Sequence, residues 1–264
     1  MNDRLPESSA DLLRVSRDGP VATVWMTRGA QFNALSEALI GALTAQFEAL
    51  AADTEVRVVV LAGEGKAFCA GHDLREMRAN PSLEYYGDLF GRCSRMMLAI
   101  QRMPQPVIAR VHGIATAAGC QLVAMADLAV AASDARFAVS GVNLGLFCST
   151  PSVPLSRNLS RKHAFEMLVT GRFIDAGEAL AKGLVNQVVG PDQLDTAIAE
   201  LTAAIVAKPA QAIAVGKNLF YRQLETGIES AYQMAGQTMA CNMMDESALE
   251  GVQAFIEKRK PNWP

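Results

Sequence analysis

The 264-residue sequence predicts a mixed α/β fold followed by a helical C-terminal region. Three observations carry that expectation. Short apolar runs such as VRVVVLAG and VIARVHG have the length and valine content of buried strands. Between them lie stretches with apolar residues three and four apart, the period of a helix packed on a sheet. Beyond about Pro191 the pattern reads as helix throughout.

After a polar lead-in, LLRVSRDGPVATVWM reads as two short strands meeting at Asp18, Gly19 and Pro20. A helix is expected from near Ser36, whose hydroxyl can cap a free amide, to about Ala52, because Leu39, Leu43, Phe47 and Leu50 recur at helical spacing. Val56 to Leu61 is a buried strand ended by Gly63 and Gly65. Residues 84 to 102 predict a helix that Pro104 and Pro106 close, and Val107 to Gly113 is another core strand. Ala117 to Ala126 reads as a helix starting in a small-residue loop, with a strand at Leu128 to Ala131. The glycines and prolines from Ser133 to Ser160 predict a long irregular region, a length that in a compact domain is usually functional. RKHAFEMLVTG and DAGEALAKG read as helices, the second opened by a capping box of Asp175 and Glu178, and LVNQVV as a short strand. Helices then follow over Leu194 to Ala207, Ala210 to Leu224, Glu225 to Met243 and Asp245 to Lys258. This places a boundary near Pro191 between a mixed core, 1–190, and a helical layer, 191–264. The layer's methionines, Met234, Met239, Met243 and Met244, lie on stripes that either cover their own core or pack against a sister subunit.

Bulk composition narrows the partners. A formal charge of −3 gives no electrostatic reason to expect nucleic acid. Cys69, Cys93, Cys120, Cys148 and Cys241 include no CxxC pair, so buried free thiols in a reducing compartment are expected. The opening MNDRLPESSADLLR does not resemble a signal peptide, and no apolar run reaches membrane-spanning length. The expected location is cytoplasmic. No metal triad, GxxxxGK or GxGxxG motif occurs, so no metal or resident cofactor is expected.

Two strand-to-loop transitions look alike: VVLAGEGKAFCAGHDL and IARVHGIATAAGCQL. Their small residues permit a ligand to approach the backbone closely. If both loops face one cleft, the amides of Ala70 and Ala118 could converge on one oxygen and stabilise negative charge on a thioester carbonyl. The plainer alternative is that ATAAG lets a helix pack tightly on a sheet.

Over essentially its whole length the chain resembles the crotonase superfamily, the enoyl-CoA hydratase and isomerase fold. The matching segments are FNALS (Phe32 to Ser36), VVVLAGEGKAFCAGHDL (Val58 to Leu74), PVIARVHGIATAAGCQLVAMADLAVAA (Pro106 to Ala132), FAVSGVNLGL (Phe137 to Leu146), LVTGRFIDAGEALAKGLVNQVV (Leu168 to Val189) and AFIEKRKP (Ala254 to Pro261). The resemblance implies a spiral of ββα units, C-terminal helices that build homotrimers or dimers of trimers, and an acyl-CoA ligand. It assigns the two oxyanion donors to Ala70 and Ala118. Relatives commonly have a run of three glycines at the second loop, where this chain has Ala117, Ala118 and Gly119.

The resemblance also marks a departure. Hydratases of the family use two glutamates, and the matching residues here are Gln121 and Gly141. A carboxamide has no useful proton affinity near neutral pH and glycine has no side chain, so two-carboxylate hydration is not expected. His72 is the candidate proton shuttle, with a pKa expected near neutrality. AGHD and VNLG also resemble methylmalonyl-CoA decarboxylases, although Cys148 falls near a tyrosine those relatives use. Ser140, Asn143 and Cys148 are candidate acyl-pocket residues, with Gln121 and Gly141. Arg28, Ala70, Lys258 and Lys260 are candidate contacts to CoA. The function expected is an acyl-CoA lyase or isomerase acting through a thioester enolate; the alternatives are a malonyl-type decarboxylase and a non-catalytic acyl-CoA-binding scaffold.

Overall fold

The computed structural model describes residues 12–263, and the lead-in over 1–11 lies outside them. Strands β1 (Leu13–Asp18) and β2 (Val21–Met26) form an antiparallel hairpin across Gly19, whose φ of 52° suits a residue without a β-carbon. Helix α1 (Glu37–Ala51) starts at Ser36, whose hydroxyl accepts the Leu39 amide at 3.2 Å. It buries Leu39, Leu43, Phe47 and Leu50, the stripe expected from the spacing.

Three successive strand pairs then build two sheets. β3 (Val58–Gly63), β5 (Val107–Val111) and β7 (Leu128–Ala132) enter one sheet, while β4 (Ala67–Cys69), β6 (Ile114–Thr116) and β8 (Arg136–Ala138) enter the other. Helices follow each pair: α2 (Leu74–Ala79) and α3 (Leu83–Arg102), then α4 (Ala118–Met125), then α5 (Ser149–Asn158) and α6 (Arg161–Thr170). β9 (Ile174–Asp175), α7 (Ala176–Lys182) and β10 (Gln187–Val189) complete the spiral. The larger sheet runs β1-β2-β3-β5-β7-β10 and is parallel from β2 onward; the smaller runs β4-β6-β8-β9. This is the α/β spiral of ββα units that the resemblance implied, followed by a helical C-terminal region.

The continuous apolar run in β3 has a direct cause. Val59 and Leu61 belong to the main core, while Val58 and Val60 face a second cluster with Ile108, Val130 and, from α8 (Leu194–Val206), Leu194, Ala197 and Ile198. Both faces of the strand are covered, so no alternation survives. Helices α9 (Ala210–Leu224), α10 (Ile228–Asn242) and α11 (Glu246–Ile256) end the chain. Lys217 of α9 is tied back to the core: its ammonium donates to Asp127 Oδ2 at 2.7 Å and to the carbonyls of Ile100 and Gln105. Asp127 also accepts the Tyr221 hydroxyl at 2.7 Å.

The expectation of an irregular region from Ser133 to Ser160 is corrected. It contains β8, a 3-10 turn over Ser140–Leu144 and the ten-residue helix α5. Pro151 falls in the first turn of α5, where a missing amide costs nothing, and buried packing of Pro151, Pro154 and Leu155 outweighs the interior break at Pro154. Strands β4, β6 and β9 were not expected, because two or three residues show no period. The thiols are all free, but Cys241 is exposed, contrary to the expectation of five buried ones. Among the described residues no single helix is long and apolar enough to cross a membrane.

Candidate active site at two touching loops

β4 and β6 are neighbours, with Cys69 opposite Ala115, so the loops that leave them emerge side by side. They touch. A β-carbon built on Gly71 would stand 2.9 Å from Ala117 Cβ and 3.3 Å from the Ala118 nitrogen, and one built on Gly119 would collide with the Cys69 carbonyl. Gly71 has φ 89°, which leaves glycine as the residue that fits both the space and the turn. The two loops therefore lie in contact as one surface rather than as two separate turns.

The backbone amides of the first loop have different tasks. Ala70 donates to the Phe32 carbonyl at 3.0 Å and Asp73 donates to the Leu35 carbonyl at 3.0 Å. The Gly71 amide is turned toward the Cys69 thiol. Among the described residues the His72 amide meets no acceptor, although it lies between these engaged neighbours. On the second loop the Ala118 amide is likewise free, as the first residue of α4. The expectation of an Ala70 donor is thus corrected: that amide is already engaged, and the free one stands two residues later.

Ala117 sets the direction of the second amide. Its φ and ψ are 50° and −119°, a conformation that a β-carbon strains, and its own amide donates to Ala138 O at 2.9 Å. Asn33 braces the first loop from below. Its carboxamide is fully buried, and its Nδ2 donates to the carbonyls of Glu64, Ala67 and Phe68 between 2.8 and 3.1 Å. Its φ of 52° lies in the left-handed region, which asparagine tolerates better than most residues; the residue type was the one sequence signal, and periodicity does not reveal its role.

The side chains divide into those at the loops and those elsewhere. His72 packs its ring edge-on against Phe90 at 5.4 Å, and burial pushes its pKa down to about 4, so the imidazole is neutral at pH 7. The expected value near neutrality is corrected by that desolvation. Asp73 caps α2, accepting from the amides of Arg75 and Glu76. Arg28, expected at a CoA phosphate, is 9% exposed; its guanidinium donates to the Ala34 carbonyl and pairs with Asp73 at 3.4 Å. It braces the loop from within.

Gln121 is 4% exposed, and its Oε1 meets no donor among the described residues. Ser140 shares a hydrogen bond with Thr116 at 3.0 Å, which holds the following segment against the second loop. Gly141 is buried, and its amide donates to Cys148 Sγ at 3.3 Å. Burial raises the Cys148 thiol above its ordinary pKa. Asn143 instead turns toward α6, donating to the Gly171 carbonyl. Lys258 and Lys260 are exposed past the end of α11, a helix that packs on α9. His112 sets its Nε2 against the Gly65 carbonyl at 2.9 Å, which ties the end of β5 to the turn after β3.

Known proteins match this architecture. The rat "Enoyl-CoA hydratase domain-containing protein 3, mitochondrial" is 40% identical over 258 residues, covering 98% of this chain and 86% of that protein. The human protein of the same name is 42% identical over 231 residues, 88% of this chain and 76% of its own length. A crystal structure of a Mycobacterium smegmatis enoyl-CoA hydratase superposes with TM-score 0.94 at 67% identity, covering 96% of this chain and 98% of that one. The expectation of a cytoplasmic location is corrected by these relatives, whose names place them in mitochondria. Reduced thiols and the lack of an apolar span are shared by every reducing compartment, so those features did not discriminate. The enoyl-CoA hydratase/isomerase family model matches residues 16–264, and with the spiral and the paired loops this establishes that the chain belongs to that family.

Proposed function

We propose that the chain binds an acyl-CoA thioester and stabilises its enolate between the amides of His72 and Ala118, working as a lyase or isomerase. The observation that carries this reading is the pair of unengaged N–H groups on loops in contact. Two such donors aimed at one oxygen favour negative charge there, and the Ala118 amide adds the positive end of α4. Removal of one such donor costs about 3 kcal/mol of transition-state stabilisation.

Gln121 and Gly141 argue against ordinary hydration. Neither can hold or release a proton at the β-carbon, and positioned proton transfer contributes about 10²–10⁴-fold per group. The His72 ring, neutral and buried, contributes packing, while its backbone contributes the hydrogen bond. His72→Ala is therefore expected to lower turnover less than about tenfold, because the amide remains.

Incubation with crotonyl-CoA and with methylmalonyl-CoA, followed by mass spectrometry, separates isomerase or residual hydratase chemistry from decarboxylation. Acetoacetyl-CoA tests the oxyanion pair directly, since its enolate absorbs in the near ultraviolet. Binding with growth of that band is the expected result; binding without it rejects the enolate reading in favour of a CoA-binding scaffold.

A further inference from the structure

The place left by Gly141 is filled by another side chain. A β-carbon at position 141 would come within 2.7 Å of Cys148 Sγ and would collide with the Leu146 carbonyl. The thiol therefore occupies the space a side chain at 141 would enter. Cys148 is 7% exposed and stands at the N-cap of α5, a helix of ten residues. The Gly141 amide donates to its sulfur at 3.3 Å.

A second observation points to a ligand in the same wall. Gln121 lies one helical turn beyond Ala118, and its nearly fully buried carboxamide presents an oxygen with no donor. Its neighbour Cys120 lies close enough to Cys148 for a charge on one thiol to be felt by the other. The Ser140–Thr116 and Ala117–Ala138 hydrogen bonds hold the Gly141 segment beside the second loop. An acyl group whose carbonyl oxygen reached the Ala118 amide would thus have an unanswered acceptor and a thiol on its flank.

Resting on the enolate reading above, we propose that Cys148 is the proton donor to the α-carbon of the thioester enolate. In that step the enolate's carbon–carbon π pair takes the Sγ proton, a Cα–H bond forms and the Sγ–H bond breaks. The thioester carbonyl re-forms, the negative charge passes from its oxygen to sulfur, and water then reprotonates the thiolate. The surroundings suit both states. Burial keeps the thiol protonated at neutral pH, while the Gly141 amide stabilises the thiolate left behind.

The test is exchange of the α-protons of butyryl-CoA in D2O, followed by NMR, with binding measured by calorimetry. The wild-type protein is expected to exchange them, and Cys148→Ala to lose about 10²-fold or more in rate with affinity changed less than threefold. Wild-type exchange that survives in Cys148→Ala, or binding with no exchange by the wild type, overturns the donor. Absence of butyryl-CoA binding by the wild type instead overturns the enolate reading on which the donor depends. If Cys148→Ala does not fold, 2-bromobutyryl-CoA at alkaline pH decides on the wild type: a thioether from Cys148 Sγ to the α-carbon, formed with loss of bromide and blocked by excess butyryl-CoA, supports the placement. Labelling only of other cysteines, or none, overturns it.

Discussion

Single residues in the two loops carry measurable strain and charge costs. Ala117 holds a backbone conformation that glycine adopts freely, and the cost of such a position is of order 1–3 kcal/mol. Ala117→Gly is expected to raise stability by about 1 kcal/mol, since part of the relief is offset by the freer unfolded chain, and urea denaturation measures it. His72 makes stability depend on pH. Its folded pKa, about 4, lies below the ordinary value of 6.5, so the unfolded chain binds the extra proton. Stability is fully present above pH 6.5 and falls as pH drops toward 4, by about 3 kcal/mol over the window. His72→Leu is expected to flatten that slope when unfolding is compared at pH 4.5 and 7.5. The motif around these residues was legible in the sequence. Which amide was free was not, because the acceptors at Phe32 and Leu35 come from a segment some forty residues earlier.

Helices and strands repeat the same contrast at a larger scale. Long elements with a stripe, such as α1, could be read from spacing alone, and its cap at Ser36 followed from the hydroxyl. Strands of only three residues, such as β4 and β6, and the proline-bearing α5 could not, since tertiary packing rather than local preference decides them. The anchoring of α9 was also invisible in the pattern: a lysine on a helix suggests solvent, yet Lys217 is 7% exposed at its side chain and its three donors are all satisfied. Replacing it by methionine leaves Asp127 buried beside Tyr221 without its cation. Lys217→Met is expected to cost about 3–5 kcal/mol, and the double variant with Asp127→Asn less than the sum, as a double-mutant cycle by chemical denaturation would register.

For the molecule as a whole, the last helices present more apolar surface than a single chain covers. Tyr232, Met239, Met244, Phe255 and Ile256 are each at least 66% exposed. We propose that three chains bury these faces against one another, the assembly the family resemblance implies. Sedimentation should give three times the mass of one chain, or six times for a dimer of trimers, and Met239→Glu combined with Phe255→Glu should release single chains, since a buried unpaired carboxylate costs several kcal/mol. Contact between Gly119 and the Cys69 carbonyl has a wider consequence for how such a scaffold can change its chemistry. On the proposed reading the oxygen-binding amides are frozen by that steric closure, so a change of reaction would have to come from substitutions at positions such as 121, 141 and 148, with the loop pair inherited intact.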